Sequence, residues 1–139
     1  MLTNTRTPGL AGARNSGGEA GHAPLVAFCD DDDAWEPTKL RLQVEEMQAT
    51  GASTCATGIR IRYEDRESVR LATAEEMTLA SLVRRRVMPA HPSSILVTRE
   101  AIQGPIGLVD EHIPGSYAED YDWILRAALA GPICVVEEP

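Results

Sequence analysis

The sequence predicts an α/β domain, and three observations carry that prediction. Short apolar runs alternate along the chain with segments of helical period. The run Leu25 to Cys29 is uninterrupted and lies between Pro24 and four aspartates, Asp30 to Asp33. That pattern fits a strand covered on both faces of a parallel sheet. Just beyond it, Pro37 precedes Leu40, Val44 and Met47 at helical spacing, and Gly51 supplies the expected stop. At 139 residues and 43% hydrophobic content, the chain has the length of one domain and the composition of a folded one.

The elements follow in order. Residues 1–8 are polar and start without a strand, and Leu10 to Ala20 reads as a short helix whose small residues permit close packing. After the Leu25 strand and the Pro37 helix, Ser53 to Tyr63 is expected to be a strand. Glu64 to Ser68 reads as a turn and Val69 to Ala72 as the hairpin partner. Thr73 and Glu76 have the spacing of a capping box, for a helix running to about Arg85. Val87 to Pro92 is a proline-broken loop and Ser94 to Val97 a short strand. Thr98 caps a brief helical turn through Gln103, and Gly104 to Ser116 is an irregular loop. Ala118 to Ala130 is helical, Gly131-Pro132 ends it, and Ile133 to Val136 is the last strand.

Bulk properties exclude some functions. A net charge of −8 argues against a nucleic-acid face, which needs clustered Lys and Arg. The run Arg84 to Arg86 follows an apolar stretch and reads as a helix C-terminus. Cys29, Cys55 and Cys134 form no CxxC pair and sit in or beside apolar runs, as buried thiols of a reducing compartment do. No apolar segment approaches the roughly 20 residues that cross a bilayer. No secretion signal opens the chain. These features predict a cytoplasmic protein, with peripheral membrane association left open.

The chemistry concentrates in two acidic blocks. Asp30 to Asp33 stand at the carboxyl end of a strand, where open α/β sheets bind ligands. Four carboxylates in a row repel one another and are best tolerated beside a cation. Hard oxygen ligands suit Mg²⁺ or Mn²⁺ carrying substrate phosphates. The competing reading is a solvated turn that caps the next helix. The second block, Glu119-Asp120-Tyr121-Asp122, opens the last helix. There it is either stabilised by the helix dipole or supplies a general base.

Three blocks in order change the weight of these readings. They are Gly9-x-Ala11-x-Ala13-Arg14-Asn15-Ser16-Gly17; Val26 to Leu40 with its aspartates, Trp35, Pro37 and Lys39; and Gly107 to Glu111 followed by Ala118 to Arg126. Together they resemble the family 2 glycosyltransferases, nucleotide-diphospho-sugar transferases of GT-A fold. The resemblance implies a partial GT-A, Rossmann-like domain, with a mixed, mostly parallel sheet flanked by helices. It puts Asp32 at the metal position with Asp30 as partner. Asp30 and Asp31 compete for the preceding role against the donor's ribose and phosphates. Arg14 and Asn15 shape the donor site, Asp120 is the catalytic base, and Glu119 is its neighbour. Asp33 caps the following helix, Trp35 and Trp123 pack, His91 is structural within an acceptor-side loop, and His112 lies in the loop before the Glu119-Asp120 block, within reach of an acceptor. The family's opening nucleobase strand has no counterpart here, and its glycine doublet is reduced to Gly107-Leu108. The chain therefore reads as an internal fragment, residues 1–139 forming one truncated catalytic domain. The implied activity is inverting, metal-dependent sugar transfer from a nucleotide-diphospho-sugar to a hydroxyl acceptor. Two rivals are an inactive fragment or acidic interaction module, and a metal-dependent phosphatase or phosphotransferase.

Overall fold

A computed structural model describes residues 2–139. In chain order the elements are α1 (Leu10–Ala20), β1 (Leu25–Ala27), α2 (Lys39–Thr50), β2 (Thr54–Thr57), β3 (Ile59–Tyr63), β4 (Arg66–Arg70), α3 (Leu79–Leu82), β5 (Ile95–Thr98), α4 (Arg99–Gln103), α5 (Glu119–Ala130) and β6 (Ile133–Val136). Four strands form one sheet in the order β1-β5-β2-β6, and β3 and β4 form a separate hairpin. The sheet is mixed and flanked by helices, as the sequence predicts. Three strands, β1, β2 and β6, run in one direction and β5 runs against them, so the one directly paired parallel ladder is β2–β6.

The Leu25 strand, in contrast, is placed differently. β1 is an edge strand paired with β5, and only its central Val26 is buried, Leu25 and Ala27 being partly covered. An apolar run shows that a strand has cover on its faces, but not which neighbours flank its edges. Cys29 falls beyond the strand and is exposed, against expectation, whereas Cys55 and Cys134 are buried.

Two cores lie on opposite faces of the sheet. Ile95 and Val97 of β5 point into the larger one, with Ala56, Trp123, Ile124 and Ile133. Leu96 points the other way, to Met47, Cys55 and Cys134 beneath α2. The two-residue alternation of a strand produces this division. Among the described residues no helix is long and apolar enough to cross a membrane.

α2 ends as expected, with Gly51 at φ 72 and its N–H on Met47 O. Its buried stripe is shifted by one residue, however: Lys39, Gln43 and Met47 face inward, and Leu40 is 40% exposed. The Gln43 amide explains the shift. It donates to Cys55 O at 3.0 Å and Ser94 O at 2.9 Å and accepts from Lys39 Nζ at 2.8 Å. Lys39 Nζ lies 4.7 Å from the Trp35 ring centre, and burial lowers its pKa to about 8. A polar chain thus docks α2 onto β2 and onto the segment before β5. Pro37 precedes the Thr38 cap instead of occupying the first turn.

Three local expectations give way to tighter geometry. The Ser53 to Tyr63 strand divides at Gly58, where a Cβ would come within 2.9 Å of Arg70 O. The hairpin turn is only Glu64-Asp65, so β4 begins at Arg66. Thr73 does cap Glu76 N–H at 3.3 Å, but the turn does not propagate. Thr78, extended at ψ 148, starts the short α3 afresh by accepting from Ser81 N. α1 matches the predicted span. It is fitted closely to the chain before it, since a Cβ on Gly12 would sit 2.0 Å from Thr7 O. Arg99 anchors its far end, donating to Gly18 O and Ala23 O, both at 2.6 Å.

Candidate functional site

Asp30 to Asp33 form a tight turn closed by Asp33 N–H on Asp30 O at 3.1 Å. Such a turn brings its first and fourth residues together and leaves the middle two at the tip. Asp31 and Asp32 are accordingly exposed, while Asp30 is half-buried. The loop before β5 is pinned against this turn: Asp30 N–H donates to Ser93 Oγ, and the Trp35 indole to Ser93 O, each at 3.0 Å. That pinning delivers His91. Its Nε2 lies 3.8 Å from Asp30 Oδ2 and its Nδ1 3.7 Å from Asp33 Oδ2.

Asp30, Asp33 and His91 each offer a ligand atom within 4.8 Å of the others. Two carboxylates and an imidazole fit a divalent cation. Asp32, placed first by the resemblance, lies outside that group. Asp33, expected to cap α2, makes no such cap, since Thr38 occupies the cap position. His91, expected to be structural, does cap the turn at Pro92–Ser94 and also joins this group.

Arg14 on α1 connects the two acidic blocks. Its Nη2 contacts Asp30 Oδ1 at 2.8 Å and Oδ2 at 3.1 Å, and its Nη1 contacts Glu119 Oε1 at 3.1 Å. The Arg14 and Glu119 side chains are 9% and 5% exposed, so this bridge lies inside the domain. Arg14 Nε is buried and finds no hydrogen-bond partner among the described residues. A groove of about 670 Å³ between α1 and β1 is lined in part by Arg14, Phe28, Asp30 and Asp31.

Asn15 is placed differently from its neighbour. Its amide donates to Val109 O at 2.8 Å and Glu111 Oε1 at 2.7 Å, and accepts from Val109 N at 2.9 Å. The side chain is thereby committed to holding the Gly107 to Glu111 block against α1. Glu111 also accepts from Thr7 N at 3.1 Å and Arg6 Nη1 at 2.6 Å. Sequence reasoning quoted Glu111 within a motif and gave it no role; the signal was its place after Asp110 in that block. Hydrogen bonds from Asn15, then Thr7 and Arg6, hold its pKa down at about 2. A carboxyl depressed in the fold stabilises above its ordinary value of 4.5, and that stability is lost as pH falls toward 2. Melting from pH 5 to 2.5 is expected to show a steeper decline in wild type than in Glu111→Gln. Parallel curves would refute this assignment.

Asp120 lies in the first turn of α5, beside Glu119. Its Oδ1 accepts from Tyr121 N at 2.8 Å, and its Oδ2 is 3.6 Å from Arg86. Tyr121 OH lies 2.8 Å from both Leu82 O and Arg85 O, which fixes the segment carrying Arg86. The Arg84 to Arg86 run thus follows a four-residue helix and reaches the second acidic block. Asp122 is committed to Arg126 at 2.9 Å. The Trp123 indole donates to Gly107 O, and its ring meets Phe28 edge-on at 5.8 Å, a packing role as expected. His112 is exposed and lies in the loop ahead of the block.

Comparison with known proteins adds to this geometry. Succinoglycan biosynthesis protein ExoO of Rhizobium meliloti (strain 1021) is 27% identical over 148 aligned positions, covering 99% of this chain and 42% of the relative. The Escherichia coli protein WfgD, a UDP-Glc:alpha-D-GlcNAc-diphosphoundecaprenol beta-1,3-glucosyltransferase, is 40% identical over 47 residues, covering 34% of this chain and 19% of the relative. The chain spans less than half the length of these curated relatives. No solved structure matches it. The sequence model of glycosyl transferase family 2 matches residues 1–103, most of the chain, including α1, the aspartate turn and β5. The chain belongs to glycosyl transferase family 2.

Proposed function

We propose that the protein containing this chain moves a sugar from a nucleotide-diphospho-sugar to an acceptor hydroxyl, inverting the anomeric carbon. One observation carries this reading. Arg14 joins Asp30 of the first acidic block to Glu119 of the second, which supports a single site for donor and acceptor chemistry. Asp30, Asp31 and Arg14 line the groove that would receive the donor's diphosphate end. A divalent cation, Mg²⁺ or Mn²⁺, would when bound there supply charge neutralisation for the departing nucleoside diphosphate. Asp30 and its neighbours in the turn are the residues to hold it, with Asp32 the choice of the family pattern and Asp33 the choice of proximity.

Asp120 takes the proton from the acceptor hydroxyl. The hydroxyl oxygen bonds the anomeric carbon from the face opposite the leaving group, and the bond to the diphosphate breaks. Glu119, paired with Arg14, positions Asp120 in the first turn of α5, and Asn15 positions the block that packs beside it. WfgD is named for transfer to a diphosphoundecaprenol-linked GlcNAc. This supports a glycan or lipid-linked acceptor here, presented at a membrane surface on the cytoplasmic side.

Assaying the complete protein with nucleotide-diphospho-sugars and a panel of hydroxyl acceptors tests the reading. Nucleoside diphosphate is expected to be released in step with glycosylated acceptor, and chelation to suppress both until Mg²⁺ or Mn²⁺ is returned. Hydrolysis of simple phosphoesters without sugar transfer would instead identify a phosphatase.

A further inference from the structure

We propose that Arg84 and Arg86, beside Asp120, bind a phosphate group of the acceptor, which is a sugar joined through that phosphate to an apolar chain. This inference rests on the sugar transfer proposed above, with Asp120 as base, and specifies the acceptor class and the residues that hold it. Three arginines in a row repel one another, and they are an exception in a chain of net charge −8. The structure sets them next to the second acidic block, where Arg86 Nη2 lies 3.6 Å from Asp120 Oδ2.

The run is held in place by α5 itself. Tyr121 directly follows Asp120, and its hydroxyl lies 2.8 Å from both Leu82 O and Arg85 O. The first turn of α5 therefore fixes the backbone of the run and the carboxylate of the base together. The three side chains differ in their commitments. Arg85 donates to Glu76 at 2.8 Å. Arg86 is 63% exposed, lies over the Tyr121 ring at 5.6 Å, and is too far from Asp120 for a hydrogen bond. Among the described residues, neither Arg84 nor Arg86 donates a side-chain hydrogen bond, and both face solvent. Guanidinium groups with free donors suit a phosphate, which accepts two parallel N–H bonds at once. Such a ligand also helps the base. A cation beside Asp120 opposes its protonation, and a phosphate that engages Arg86 removes that opposition. The neighbours of the run supply the apolar part. Val83 and Met88, on either side of it, are 63% and 57% exposed, and Tyr117, three positions before Asp120, is exposed as well. Large apolar side chains around free cations fit a phosphate that carries hydrocarbon.

The test titrates decyl diphosphate, below its micelle concentration, into the complete protein. Arg86→Gln is expected to weaken binding at least about tenfold, and Arg84→Gln by about three- to tenfold. Arg86→Lys is expected to restore part of the loss, and all three variants to keep the wild-type circular dichroism. Inorganic pyrophosphate is expected to bind at least about tenfold more weakly than decyl diphosphate, because it lacks the apolar chain. Pyrophosphate binding as tightly would mark a free-phosphate site and overturn the inference. Wild-type affinity in Arg86→Gln, or competitive displacement of decyl diphosphate by a nucleoside diphosphate, would overturn it too. Sugar transfer to an uncharged hydroxyl acceptor at an unchanged rate in Arg86→Gln would overturn this acceptor class and leave the transfer standing. Arg86-dependent binding, in a protein that releases no nucleoside diphosphate with any acceptor, would sustain the phosphate site and overturn the transfer.

Discussion

Sugar transfer by the complete protein is expected to fall by about 10² to 10⁴-fold when Asp120 is changed to Asn, with donor affinity unchanged. The substitution preserves shape, and the new carboxamide oxygen can still accept from Tyr121 N, now at 2.8 Å. What it removes is the capacity to hold a proton, together with the charge that faces Arg86 at 3.6 Å. Neighbouring carboxylates are poorly placed to substitute. Glu119 is buried and bound to Arg14, and Asp122 is paired with Arg126. The effect should therefore appear in kcat, while calorimetric donor binding, assigned above by proposal to Asp30 and Arg14, stays as it was. Transfer that survives in Asp120→Asn would remove Asp120 from the base role. A matching loss of donor affinity would instead make it part of the donor site.

The element pattern was legible because it depends on local chemistry. α1, the end of α2 at Gly51, the Thr98 cap and α5 all lie where spacing and cap residues put them. Long-range decisions were not legible. Nothing local says that β5 runs antiparallel between β1 and β2, or that a glutamine at position 43 satisfies carbonyls on two segments. The site divides in the same way. The two acidic blocks stand out in the sequence as runs of adjacent carboxylates. Which aspartates act together depends on the turn between Asp30 and Asp33, and four identical residues conceal its register. His91 and Glu111 are recruited from distant segments by contacts at Ser93 and Asn15. The Asp30–Ser93 and Asn15–Glu111 contacts span 63 and 96 positions in the chain, beyond the reach of any periodicity.

Arg14→Ala is expected to cost the fold about 3–5 kcal/mol, the range for removing one partner of a buried ion pair. The size follows from what is left behind. Glu119 is 5% exposed at its side chain and would keep a charge with its guanidinium partner gone, while Asp30 would face Asp33 with less to offset the repulsion. Against a stability of about 5–15 kcal/mol for a domain, such a loss is a large fraction. Lysine is a poor replacement. Arg14 uses Nη1 for one carboxylate and Nη2 for the other, and a point charge on a flexible stem cannot span both with the same geometry. Arg14→Lys should therefore recover only part of the loss. Arg14→Met combined with Glu119→Gln should recover more, because the buried charge leaves with its partner. Urea unfolding of the four proteins measures these differences. An Arg14→Ala variant within about 1 kcal/mol of wild type would show that the bridge behaves as a surface pair. The two acidic blocks would then have to be held together by the packing of Phe28 on Trp123 rather than by charge.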